Sequence, residues 1–251
     1  MWWFAGWFLS DMAILNIGET QIPYSVRVST KAIHMRIVVE PKGVEVVVPK
    51  GTPVADVEAY VQGKRRWVFD SVRELDAKLR RLLTQQYASG AKLQYRGRWL
   101  MLEVTEGAVD AVTIVCRSKF HVVVPAALDG LERLAAIGEA FEGWLRGRAL
   151  SDLERMGARH ERVLGVAAEE YRLSDAKSRW GSCGRDGIIR VHWRLVQAPM
   201  AAFEYVVAHE VAHLVDRNHG EGFWRTLSVT MPDWRERKGM LEAWEGEHRA
   251  L

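Results

Sequence analysis

Only two cysteines, Cys116 and Cys183, occur in 251 residues, and they are not in C-x-x-C spacing. That excludes a disulfide framework and a cysteine metal cluster as organising features, and it makes a reducing, cytoplasmic compartment the expectation. Long hydrophobic runs are also missing. The apolar start, Met1 to Leu9, falls far short of the roughly 20 residues that cross a bilayer and lacks the basic flank of a signal peptide, so no transmembrane segment is expected. Two readings of that start stand side by side. Either Met12 is the true initiator, or Trp2, Trp3 and Trp7 cap a hydrophobic surface or touch a membrane interface. An excess of one charge is absent too, since 35 Lys and Arg stand against 32 Asp and Glu for a net +3. Composition alone therefore does not imply a nucleic-acid partner. Basic clusters such as Lys64-Arg65-Arg66 and Arg80-Arg81 keep nucleic acid as a lesser alternative, solvated helix faces being the commoner use of such runs. No repeat or low-complexity linker stands out, and no pattern specifies an oligomer. What is present is apolar residue, 48% of the chain, enough to bury the core of one large or two modest domains.

The periodicities predict an α+β protein. Tyr24 to Val28, Ile33 to Val39 and Val44 to Val48 read as strands, with a turn at Gly43. Pro53 opens a helical region that carries Val57, Val61, Val68, Val72 and Leu75 at helical spacing and breaks near Gly63. A second β set follows Gly90, at residues 93–95, 99–104, 112–116 and 120–124. A long helix from Leu131 to Met156 then opens the last part. The expected division is a β-rich N-terminal region with a helical insertion at 13–127 and a compact C-terminal domain at 128–251.

Chemistry concentrates in Val206-Val207-Ala208-His209-Glu210-Val211-Ala212-His213-Leu214. At about 100° per residue, His209 and His213 of this H-E-x-x-H pattern lie about 40° apart on one helical face, with Glu210 beside them. Two imidazoles can then share a metal ion while the carboxylate acts on water. A tetrahedral catalytic zinc takes three protein ligands and keeps one open position, and His219 is the third-ligand candidate. An unbroken helix would turn His219 roughly 240° from His213, so the helix must stop first. Asn218 and Gly220 suit a left-handed exit, predicting a helix from about residue 200, just after Pro199, to about 216. Phe203, Val206, Val207, Val211, Leu214 and Val215 make this helix apolar nearly all round, as in a buried element, where polar groups need partners. Asp216 is placed to orient one ring as an acceptor. Phe223 and Trp224 are expected to fix the His219 loop.

Upstream, Lys177-Ser178-Arg179-Trp180-Gly181-Ser182-Cys183 precedes an Asp186-Gly187 turn and an alternating stretch from Ile188 to Leu195. This predicts a hairpin whose 188–195 strand offers its exposed backbone to an extended peptide. Arg179, Arg190 and His192 are candidate oxyanion stabilisers, although solvated structural roles are commoner for such residues. Cys183 is expected to be a small buried hydrophobe.

The blocks KSRWGSC (177–183), YVVAHEVAHL (205–214), NHGEGFW (218–224) and MPDWRERK (231–238), in this order, resemble the YgjP-like metallopeptidase family, relatives of the WLM and SprT-like zincins. The resemblance implies a zincin-like C-terminal core of long helix, small sheet and H-E-x-x-H helix, preceded by the β-rich region. It also implies Zn2+ held by His209, His213 and His219, Glu210 as general base, and a protein or peptide substrate. His192 departs from it, since an Asn-bearing strand is expected there. Two alternatives use the same residues: a metal-dependent nucleotide or phosphoanhydride hydrolase, and a non-catalytic zinc-stabilised binding module.

Overall fold

A computed structural model describes residues 12–248. The tryptophan-rich start and residues 249–251 lie outside the described residues. The chain divides between Thr84 and Gln85 into two compact units. The first holds β1 (Met12–Ile17), β2 (Thr20–Ser29), β3 (Arg36–Glu40) and β4 (Gly43–Pro49) in a sheet of order β1-β2-β4-β3, with β2 and β4 parallel. Gly18, at φ +58°, makes the tight turn between β1 and β2. Helix α1 (Val54–Gly63) follows Pro53, and α2 (Arg65–Tyr87) begins after the break expected near Gly63. Strand alternation turns Leu15, Ile22, Tyr24, Val44, Val46 and Val48 to one face, where they pack with Val57, Val61, Val68 and Val72 of the helices.

In the second unit, β5 (Lys92–Tyr95), β6 (Arg98–Gly107), β7 (Thr113–Cys116) and β8 (Phe120–Pro125) form a sheet of order β5-β6-β8-β7. Then come α3 (Gly130–Leu164), β9 (Glu170–Ser174), β10 (Gly181–Cys183) and β11 (Ile188–His192), a short 3-10 helix (Trp193–Gln197), α4 (Met200–Ala212), α5 (Glu221–Thr230) and α6 (Trp234–His248). The small sheet has the order β10-β11-β9, with β11 parallel to β9 and antiparallel to β10. The whole is a mixed α+β architecture with six α-helices among the described residues, none long and apolar enough to cross a membrane.

Three expectations change. The long helix runs past Met156 to Leu164, where Gly165 closes it in the left-handed conformation. The strand expected through Leu195 ends at His192, whose Nδ1 accepts the Arg194 N–H at 3.2 Å and caps the 3-10 helix. Trp193 and Leu195 are still buried, so the alternation reported burial correctly but not backbone form. Helix α4 stops at Ala212, short of the expected residue 216.

The site helix α4 is set in place from both sides. Its Phe203, Val206, Val207, Ala208 and Val211 lie in one core with Leu153 and Met156 of α3, Ile189 and Val191 of β11, and Leu241 and Trp244 of α6. Just ahead of α4, the β5–β6 turn docks on the chain: Arg96 and Gly97 N–H groups donate to the carbonyls of Val196 and Gln197 at 2.9 and 2.8 Å. A Cβ on Gly97 would meet Pro199 Cα at 2.9 Å, so only glycine lets the turn seat there. The Arg96 guanidinium then reaches back to the buried Asp152 on α3, at 3.0 and 2.8 Å.

Gly157 serves the same packing. A Cβ there would lie 2.1 Å from the Tyr171 hydroxyl, which donates to Glu161 at 2.9 Å. Gly157→Ala is expected to destabilise the protein by about 1–3 kcal/mol through overpacking, although alanine is the better helix former. A rise in thermal midpoint would overturn this account of the α3–β9 contact.

Candidate metal centre

His209 lies in the last turn of helix α4 and His213 caps its C-terminal end in right-handed helical geometry, one turn further along the same side, as the i, i+4 spacing requires. The chain then leaves the helix through tight backbone turns, Leu214 to Val211 and Val215 to Ala212, each at 3.0 Å. Neither Asn218 nor Gly220 takes a positive φ, contrary to the expected left-handed exit. The reversal is made instead by Asp216, whose carboxylate accepts the Asn218 N–H at 3.0 Å. It brings His219 back over the helix. Nitrogen atoms of His209, His213 and His219 lie within 4.8 Å of one another, and this is the one such cluster of metal-ligating side chains among the described residues.

The donor chemistry fits a shared cation. His209 and His219 point Nε2 at Nε2 across 2.9 Å. Two protonated rings would repel there, whereas two lone pairs on one ion are favourable, and a tetrahedral zinc would set its nitrogens about 3.3 Å apart. His213 Nδ1 lies 3.0 Å from the Asp216 carbonyl, which can only accept. His213 therefore carries its proton on Nδ1 and leaves Nε2 as the free donor atom. Asp216 orients a ring as expected, but with its backbone oxygen rather than its carboxylate. Burial, then the neighbouring His213, His219 and Lys238, holds His209 down to a pKa of about 3, and burial leads the lowering of His213, so both rings keep their lone pairs at neutral pH.

Phe223 of α5 is fully buried against all three rings, with centroid distances of 4.8, 4.5 and 4.7 Å. Trp224 donates its indole N–H to the His219 carbonyl at 3.1 Å and stacks on Trp234 at 4.4 Å. The pair fixes the His219 loop, as the sequence suggested.

Glu210 is buried beside this cluster, and its Oε2 has no hydrogen-bond partner. Burial pushes its carboxyl up to about 7, against the backbone of Cys183 and the charge of Arg179, which pull it down. Strand β10 lies directly on it: a Cβ on Gly181 would come within 2.5 Å of Glu210 Oε1. Sequence reading missed Gly181, whose only signal was a glycine between two larger residues of the Trp180–Ser182 stretch.

The edge expected at residues 188–195 does not exist, because β11 is paired on both sides, with β10 and with β9. The edges of this sheet are β10 and β9, and β10 is the one that lies against Glu210. His192 N–H donates to the Trp180 carbonyl and Gly184 N–H to the Ile188 carbonyl, so by ladder alternation the backbone groups of Gly181 and Cys183 face away from β11. Of the three oxyanion candidates, Arg190 is tied to Asp186 at 3.0 Å and His192 caps the 3-10 helix; the charge of Arg179 alone acts on Glu210. The Cys183 thiol is half-buried and pushed up chiefly by burial, which suits a packing role.

Two histidines at the end of one helix, a third folded back on them and a buried carboxylate alongside bring three candidate metal ligands and an acid–base group together. The chain belongs to the YgjP-like metallopeptidase domain family, whose model matches residues 33–243. Among solved structures it is similar to the metallopeptidase zymogen of Pyrococcus abyssi abylysin, at 20% identity and a TM-score of 0.34 over 38% of this chain and 93% of that one. A search of curated proteins finds no match.

Proposed function

We propose that this protein is a zinc-dependent metallopeptidase with a zincin-like C-terminal core, in which His209, His213 and His219 hold the ion and Glu210 is the general base. The observation that carries the reading is the convergence of three imidazole nitrogens beside a buried carboxylate with one free oxygen. When bound, zinc supplies Lewis acidity, lowering the pKa of water towards 7 and polarising a carbonyl. Glu210 takes the proton of the attacking water on Oε2 and passes it to the leaving amine. Gly181, together with the Cys183 carbonyl, holds an extended substrate by strand addition along the outer edge of β10, while the Cys183 N–H is taken by Glu210.

The test is elemental analysis of the purified protein together with matched assays of casein cleavage and nucleoside triphosphate hydrolysis, in wild type and Glu210→Gln. About one zinc per chain and casein cleavage lost in the variant are expected. Triphosphate hydrolysis that responds in place of casein cleavage would make the site a phosphohydrolase, and a protein unaffected by the substitution would be a zinc-stabilised binding module.

Gly181→Ala separates positioning from metal binding. The added methyl must displace the Glu210 carboxylate, and misplacement of a catalytic group by about 1 Å costs on the order of a hundredfold in rate. Zinc content should stay at the wild-type level while kcat falls by about that factor; an unchanged kcat would remove β10 from the site.

A further inference from the structure

The two ends of β10 carry guanidinium groups without carboxylate partners. Arg179 stands two residues ahead of the strand, exposed, with no hydrogen bond or ion pair among the described residues. Arg217, on the loop that returns His219 to the cluster, donates to the Gly184 carbonyl at 3.1 Å, just past the other end of β10, and makes no ion pair. Carboxylates close by are committed elsewhere, Asp186 to Arg190 at 3.0 Å and Asp216 to the Asn218 N–H at 3.0 Å. The three extended residues of β10 cover about 10 Å and lie against Glu210, with Arg179 before them and the Gly184-bound Arg217 after them, so a chain laid along the β10 edge passes one guanidinium on each side of Glu210.

We propose that Arg179 and Arg217 select substrate segments carrying Asp or Glu on both sides of the scissile bond, a specificity that rests on the metallopeptidase reading above. Unpaired guanidiniums at the two ends of a backbone-pairing edge recognise carboxylates in the geometry they favour, while the edge itself is indifferent to sequence. Exposed pairs are individually weak, so two of them together are expected to favour an acidic peptide over its lysine counterpart by roughly tenfold.

Zinc-loaded wild type would be assayed on quenched fluorescent peptides of one length, flanked by Glu, Gln or Lys. In parallel, their binding to Glu210→Gln protein would be read by fluorescence anisotropy. The Glu peptide should lead in kcat/KM and in affinity, and the lead should shrink at about 0.5 M salt, where exposed charges are screened. Arg179→Glu and Arg217→Glu together should invert the order. The salt response of the wild type needs no variant, so a misfolded variant leaves the idea exposed to refutation. Peptide cleavage that ignores flanking charge, or a preference that survives the double reversal, would overturn the specificity and leave the peptidase standing. If no peptide is cut and nucleoside triphosphate hydrolysis depends on the two arginines, both readings fall.

Discussion

Glu210→Gln is expected to lower kcat by about 10²–10⁴-fold, the range contributed by a positioned general base, with zinc content unchanged and KM moved only a few-fold. The amide is nearly isosteric, keeps an oxygen for the Cys183 backbone and cannot accept a proton from water. Its effect on stability discriminates just as sharply. Glu210 is buried with Oε2 unpartnered, and burial is the leading cause that raises its carboxyl to about 7. A charge held there is a cost to the fold, so a neutral amide should leave the thermal midpoint level or slightly raised. A structural carboxylate would behave in the opposite way, losing stability without a specific loss of kcat. Retention of more than about a tenth of the activity by zinc-loaded Glu210→Gln would remove this residue as the base.

How much of this was legible in the sequence depends on the range of the interaction concerned. The His209/Glu210/His213 relation is local, fixed by 3.6 residues per turn, and the need for the chain to leave the helix before His219 followed from the same number. The Gly187 turn of the β10–β11 hairpin, at φ +74°, was likewise written in Asp186-Gly187. Edge identity was not. Which strand of a small sheet stays unpaired depends on β9 joining β11 in parallel from beyond the 175–187 stretch, and alternation along β11 carries no information about its partners. The loop exit misled for a different reason: Asn218 and Gly220 are able to adopt left-handed geometry, but the Asp216 side chain had already supplied the turn. Gly181 is the instructive omission. Its reason is a contact with Glu210 across 29 positions of chain (210 − 181), visible only when β10 is laid on α4.

His219→Ala should reduce zinc affinity by more than a hundredfold, beyond the 10–100-fold typical of losing a partner outside the ligand set, and abolish activity at limiting metal. His219 lies on an exposed loop, and its carbonyl, not its ring, takes the Trp224 indole N–H, so truncating the imidazole leaves the Trp224–Trp234 anchor intact. The metal-free protein should therefore melt near the wild-type temperature while the metal-dependent increment in melting temperature disappears, the signature of a lost ligand rather than a damaged fold. Asp216→Ala is the matched control. The group that orients His213 is the Asp216 carbonyl, which survives the substitution, so affinity should fall only through the loosened Asn218 turn, by about tenfold or less. Full zinc retention in His219→Ala would overturn the three-histidine site and turn the search to Glu221, the exposed carboxylate at the start of α5. Equal losses in the two variants would instead mean that the loop as a whole, and not the ring of His219, sets the affinity.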